Sequence, residues 1–86
     1  MYKHVQRKVG LTIRHARMRK GYSQEQFAQA ANIDRARYGR LERGEINFTL
    51  HTLLAVAAHL EITPSELLNE VTAEDCEPWQ DDTDPD

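Results

Sequence analysis

The chain has 86 residues, a formal net charge of −3 and one cysteine, Cys76. This length allows one small domain, with a core near the lower limit for stability without covalent staples. No apolar run is long enough to cross a membrane, the charged N-terminus lacks the apolar segment of a signal peptide, and a single cysteine excludes an internal disulfide framework, so we expect a cytoplasmic protein.

The charges divide the chain into two parts. Residues 1–71 hold all 11 lysines and arginines together with seven of the 14 acids, whereas residues 72–86 hold the other seven acids and no base. A ligand responds to the local field more than to the net charge. The pattern therefore predicts a basic domain over 1–71, able to bind nucleic acid, and an acidic C-terminal tail over 72–86.

A first helix is predicted from about Lys3 to Lys20, because apolar residues recur there on one face: Val5, Val9, Ile13 and Ala16. Its polar face carries bases and no acid, which favours an anionic partner over a solvated surface: Lys3, Arg7, Lys8, Arg14, Arg17, Arg19 and Lys20. Gly10 costs a helix about 1 kcal/mol relative to alanine, so it predicts close packing or a bend. Gly21 is expected to end the helix.

Residues 23–44 predict two short helices joined by a tight turn. Ser23 is an N-cap with Gln26 in the capping-box position, Asn32 suits a left-handed turn residue, and Asp34 caps the second helix. Gly44 ends it. The predicted inner residues are Phe27, Ala28, Ala31, Tyr38 and Leu41, and the outer ones are Arg35, Arg37, Arg40 and Arg43. A helix, a tight turn and a helix with a basic outer face form a device that reads a DNA groove.

Two more helices are predicted before the tail. Thr49 caps a fourth helix, whose predicted inner face is Leu50, Leu53, Leu54, Ala57 and Leu60. Thr63, Pro64 and Glu66 open a fifth helix. The apolar surface at this end of the chain is larger than a short terminal helix can bury alone. We therefore predict a homodimer interface made by Leu60, Ile62, Leu67, Leu68 and Val71.

The tail, TAEDCEPWQDDTDPD, admits two interpretations. Its carboxylates are tethered near a basic surface and could compete with DNA phosphates for Lys3, Arg7, Arg14 or Arg19. Alternatively, it is a solubilising segment with Trp79 packed on the domain.

From Gly10 to Leu68 the chain resembles the Cro/C1-type helix-turn-helix family, the XRE family, which includes phage repressors and restriction–modification controller proteins. The resemblance rests on three stretches in order: GLTIRHARMRKGYSQEQFAQAANI, LERG and NFTLHTLLAVAAHLEITPSELL. It implies an all-α, five-helix lambda-repressor-like bundle that binds double-stranded DNA, commonly as a dimer.

The resemblance also implies residue roles. Gln24 matches a phosphate-binding glutamine, and an Arg17–Glu42 pair ties the first helix to the recognition helix. The base-facing positions are Arg35, Ala36 and Arg40. Asn32 stands where the family has glycine, and Tyr38 replaces a smaller aliphatic residue beside Gly39, departures that concern the tilt of the third helix.

The chemistry of these side chains gives the predicted DNA contacts. A guanidinium can donate two hydrogen bonds to the O6 and N7 of guanine, giving about 1–3 kcal/mol of discrimination, so Arg35 and Arg40 are predicted to read bases, with phosphate contact as the alternative. Helix N-termini and outward-facing arginine side chains favour contact with phosphate. The predicted phosphate contacts are Ser23, Gln24, Arg37, Arg43, Asn47 and Thr49. For Ser23 capping alone is an equal alternative, and for Arg43 the alternative is a surface charge.

Catalysis and metal binding are not predicted. His51 and His59 are eight residues apart on one helix, and His4 and His15 lack an acidic or thiol companion, so no metal site follows. Cys76 lacks the partners of a nucleophile. We therefore expect no enzyme activity and no cofactor.

Three functions compete on this sequence. The first is a sequence-specific transcriptional regulator that binds a pseudo-palindromic operator as a homodimer. The second is a DNA-binding antitoxin whose acidic tail, residues 72–86, binds a partner protein. The third is a protein-binding adaptor that has lost DNA binding, and the outer arginines of the third helix argue against it.

Overall fold

The structure is a computed structural model that describes residues 3–76. Within that range the chain forms α1 (Lys3–Arg19), α2 (Gln24–Ala30), α3 (Arg35–Glu42), α4 (Leu50–Leu60) and α5 (Pro64–Leu67), followed by one 3₁₀ turn, Ala73–Asp75. The predicted all-α fold of five helices is confirmed. The acidic tail is described only as far as Cys76, and Trp79 lies outside the described residues.

The helix boundaries follow from capping side chains that the sequence predicted. The Ser23 hydroxyl accepts from the N–H of Gln26 at 3.0 Å, and the Gln26 side chain accepts in return from the N–H of Ser23 at 2.9 Å. Asp34 accepts from the N–H of Arg37 at 3.1 Å and so starts α3. Between the two helices, Asn32 adopts the predicted left-handed conformation, with φ of 58°. These local bonds hold α2, the turn and α3 as one unit.

One hydrophobic core joins the helices. Its largest fully buried side chains are Tyr38, Phe27, Ile13, Leu41, Leu60, Leu67, Val9 and Val56. The rings of Phe27 and Tyr38 lie 5.2 Å apart, centroid to centroid. Tyr38 is therefore a core residue, and it connects α3, the predicted recognition helix, to the centre of the domain.

The predicted inner face of α4 is partly wrong. Leu50 and Leu54 are 70% and 45% exposed, whereas Val56, absent from the prediction, is fully buried. The residues that meet the core are Leu53, Val56, Ala57 and Leu60. Apolar residues occupy two neighbouring faces of this helix, and only one of those faces can contact the core.

The predicted dimer interface also needs correction. Leu60 and Leu67 are 2% and 0% exposed, so the core of the single chain already buries both of them. Ile62 and Val71 are half-buried, and Leu68 is 42% exposed. Only these last three of the five predicted residues are accessible to a second copy.

The packing of α1 on α3 explains Gly10. A Cβ atom on Gly10 would stand 2.4 Å from the carbonyl oxygen of Glu42 and 2.9 Å from that of Leu41. The two backbones therefore approach at this glycine more closely than any side chain allows, and the predicted close packing is confirmed.

Candidate nucleic-acid interface

The outer face of α3 is a shallow basic depression. It is lined by Gln24, Arg35, Ala36, Gly39, Arg40 and Arg43. The four α3 residues and Arg43, the C-cap of this helix, share one side because residues four apart in sequence lie above one another on a helix. Arg35, Ala36 and Arg40, the predicted base readers, are exposed here, and Arg43 lies with them.

Arg37 lies on a different side of the helix. It lines a second depression together with turn residues Asn32 and Asp34 and with His51 of α4. Arg37 therefore does not share the depression of Arg35 and Arg40, and the phosphate contact predicted for it stays a prediction.

Glu42, the last residue of α3, is the centre of a buried polar network. Arg17 donates to it twice, from Nε to Oε2 at 2.7 Å and from Nη2 to Oε1 at 3.2 Å. Gln24 Nε2 donates to Oε1 at 2.9 Å, and the Tyr38 hydroxyl donates to Oε2. A carboxylate has about four acceptor sites, so this one is fully satisfied. It connects α1 and α2 to the recognition helix.

The electrostatics of the network favour its charged form. Burial alone would raise the pKa of Glu42, but the hydrogen bonds from Arg17, Tyr38 and Gln24 outweigh it and hold the pKa below its usual value. The hydrogen bond to Glu42 raises the pKa of Arg17. Burial, followed by the hydrogen bond to Glu42, raises the pKa of the Tyr38 hydroxyl. At neutral pH the pair is a buried carboxylate and guanidinium.

Sequence reasoning missed an acid at the edge of the interface. The guanidinium of Arg43 donates to Glu45 from Nε at 3.1 Å and from Nη2 at 3.3 Å. Arg40 Nε lies 4.0 Å from the same carboxylate. The hydrogen bond from Arg43 lowers the pKa of Glu45, so this carboxylate is charged at neutral pH. An acid two residues after Arg43 was the available signal.

The other predicted phosphate contacts already have partners within the protein. The hydroxyls of Ser23 and Thr49 cap α2 and α4. Asn47 accepts a hydrogen bond from the Gln6 side chain. Side chains at helix starts can contact phosphate and cap at once, since the backbone N–H groups beside them supply further donors.

The beginning of the acidic tail contacts α1. Asp75 Oδ2 lies 2.7 Å from Lys8 Nζ. This hydrogen bond and those from Thr72 lower the pKa of Asp75 to about 2. Lys8 is not among the four cations that we expected the tail to reach, and the tail acids from Glu77 onward lie outside the described residues.

Among residues 3–76, no group of three or more His, Cys, Asp or Glu side chains could hold a metal ion. None of the helices in this range has the length and apolarity to span a membrane.

Comparison with known proteins identifies the family. The helix-turn-helix family HTH_3 matches residues 13–67, which include α2, the turn and α3. The chain belongs to this family. It is therefore a helix-turn-helix DNA-binding regulator of the XRE type, as the resemblance implied.

The chain is similar to two control proteins. The chain is 40% identical over 52 residues to the control protein C.MunI from a Mycoplasma species, a match that spans 60% of this chain and 70% of that protein. The restriction-modification controller protein C.AhdI from Aeromonas hydrophila superposes with a TM-score of 0.69 at 40% identity, over 72% of this chain and 94% of C.AhdI.

A third relative is a hypothetical transcription factor, NHTF from Neisseria. Its structure superposes with a TM-score of 0.73 at 28% identity, over 79% of the present chain and 78% of NHTF. These relatives are controller proteins and transcription factors, which gives no support to the antitoxin alternative.

Proposed function

We propose that this helix-turn-helix regulator is a transcriptional regulator of the restriction–modification controller type, which binds a pseudo-palindromic operator as a homodimer. The observation that carries the proposal is the outer face of α3, where Arg35, Arg40 and Arg43 surround the small residues Ala36 and Gly39. Such a face combines guanidinium groups for guanine edges with space for the close approach of a base pair.

The predicted contacts keep their roles in this proposal, except that Arg43 is paired with Glu45. Arg35, Ala36 and Arg40 read bases, and Arg37 contacts phosphate beside the groove. Gln24, held at the start of α2 by Glu42, positions the domain on the backbone together with Ser23, Asn47 and Thr49. The α2–turn–α3 unit thus combines base contacts that specify with phosphate contacts that position.

The proposed dimer uses apolar surface that a single chain leaves exposed. Leu50 and Leu54 project from α4, and Leu68 projects from the end of α5. With the half-buried Ile62 and Val71 they replace the interface predicted from sequence. A two-fold dimer would place two recognition helices about 34 Å apart, one turn of DNA.

Selection of bound duplexes from a random pool, followed by sequencing, tests the proposal. The expected product is an inverted repeat with half-sites about 10 bp apart, centre to centre. Arg35→Ala should lose about 1–3 kcal/mol on that site and relax one base position per half-site. Arg37→Ala is the matched arginine control and should weaken all sequences about equally. A pool with no enriched sequence would reject site-specific binding.

A further inference from the structure

The carboxylate of Glu45 lies at the end of the basic depression on the outer face of α3. The Glu45 carboxylate and the Arg43 guanidinium meet through two parallel hydrogen bonds, at 3.1 and 3.3 Å. All three side chains of this cluster are open to water, with 49% of Glu45, 56% of Arg43 and 57% of Arg40 exposed. An acid beside DNA repels phosphate, so its presence in this position requires an explanation.

The geometry shows what this carboxylate does to Arg43. Arg43 Nη1 lies 3.1 Å from the point where Gly39 would carry a Cβ atom. The arginine therefore lies back along α3, over the glycine, with its donors turned to Glu45. The two oxygens of the carboxylate occupy the fork of the guanidinium, which is the same fork that would hold a phosphate.

We propose that Glu45 is a specificity-determining residue that competes with DNA phosphate for Arg43 and weakens binding to random DNA. This inference rests on the proposed function. Binding to random DNA consists almost entirely of phosphate contacts, so it loses affinity in proportion to each cation that an internal acid occupies. Binding to the operator also draws on base contacts, which Arg35 and Arg40 make without releasing Arg43 from Glu45.

Arg40 remains available for base reading under this arrangement. Its Nε atom is 4.0 Å from Glu45, beyond hydrogen-bond distance, so the carboxylate attracts Arg40 without binding its donors. Arg43 has two hydrogen bonds to the same group. Glu45 thus gives two arginines of one helix face different roles. Arg40 stays available to contact a base, whereas Arg43 is bound to the carboxylate.

Glu45→Gln tests the proposal, since glutamine keeps the shape and removes the charge. Affinity is measured for a random-sequence duplex and for the duplex that the wild-type protein selects, over a series of salt concentrations. Exposed ion pairs have modest energies, so we expect random DNA to bind about two- to fivefold more tightly at low salt. The salt slope on random DNA should steepen by about 0.9 for each protomer bound, the equivalent of one more phosphate contact per protomer. The selected duplex should gain less.

Glu61→Gln is the matched control. Glu61 is an exposed glutamate paired with Lys20, so the substitution changes the net charge equally without touching the α3 face. A gain on random DNA no larger than that of Glu61→Gln would overturn the proposal. So would an equal gain on both duplexes, or a loss confined to the selected one, which would make Glu45 a base contact.

A second arm removes the cation. In an Arg43→Gln background, Glu45→Gln should change random binding little, and an undiminished gain there would contradict competition for Arg43. The wild-type measurements distinguish a failure of this inference from a failure of the proposed function. If the wild-type protein selects no sequence, the proposed function fails, whereas a selected site with unaltered random binding in Glu45→Gln rejects the role of Glu45 alone.

Discussion

Replacing Gly10 by alanine should destabilise the protein, although alanine is the better helix former. The new Cβ would meet the carbonyl oxygen of Glu42 at 2.4 Å, a backbone atom that cannot turn aside, so α1 and α3 must separate. Overpacking of this kind costs about 1–3 kcal/mol, and helix propensity returns about 1 kcal/mol. The contact is so short that we place the net loss at about 1–2 kcal/mol. For a domain of this size that lowers Tm by about 4–16 °C.

The same substitution at Gly39 is the control. There the added Cβ is tight only against the end of the Arg43 side chain, at 3.1 Å, which is flexible and can move, whereas Gln24 Oε1 at 3.7 Å is an ordinary contact. Gly39→Ala should therefore be neutral or raise stability by up to about 1 kcal/mol. Thermal unfolding is followed by circular dichroism at one fixed protein concentration, because the Tm of a dimer depends on concentration. A Gly10→Ala protein as stable as the wild type would refute the close approach of α1 and α3.

Further expectations concern the buried network and the dimer. Glu42 has a lowered pKa in the folded state, so its contribution to stability is present above about pH 5 and is lost as pH falls through the folded pKa; urea unfolding at several pH values should show a loss on the acid side that is smaller in Glu42→Gln. At neutral pH, Glu42→Gln leaves the Arg17 charge buried without its partner and should cost about 3–5 kcal/mol. Tyr38→Phe removes one hydrogen bond to that carboxylate and should cost about 1.5–3 kcal/mol in the same assay. Leu54→Glu should sediment as a folded monomer, whereas Leu67→Glu, at a fully buried site, should unfold; a dimeric Leu54→Glu protein would exclude this face as the interface.

Local chemistry was the part of the fold that the sequence could predict. Capping by Ser23 and Asp34 involves a side chain and a backbone group three residues apart, and the left-handed turn depends on Asn32 itself. Such features need no knowledge of the rest of the chain. Tyr38 was also placed correctly in the core, because Leu41 continues its face.

Contacts between distant parts of the chain were harder to predict. Periodicity alone assigns Arg17 to the basic surface of α1, and only the family resemblance paired it with Glu42, 25 residues away. Helix periodicity does not say which of two apolar faces meets the core, which is why Leu50 and Leu54 were misassigned. Glu45 lies beyond the end of α3, where rules for helical spacing no longer apply.

The saturated carboxylate of Glu42 has a consequence for the entropy of binding. Gln24 and Tyr38 are already immobilised by it before DNA arrives. Ordering a flexible side chain at an interface costs about 0.5–1.5 kcal/mol, and here that loss of freedom occurs on folding instead of on association. A recognition unit held so firmly adapts little, so if the proposed dimer binds two half-sites, the DNA must supply the adjustment between them. The energy of bending a duplex depends on its sequence, and base pairs that the protein never touches would then influence which operators it prefers.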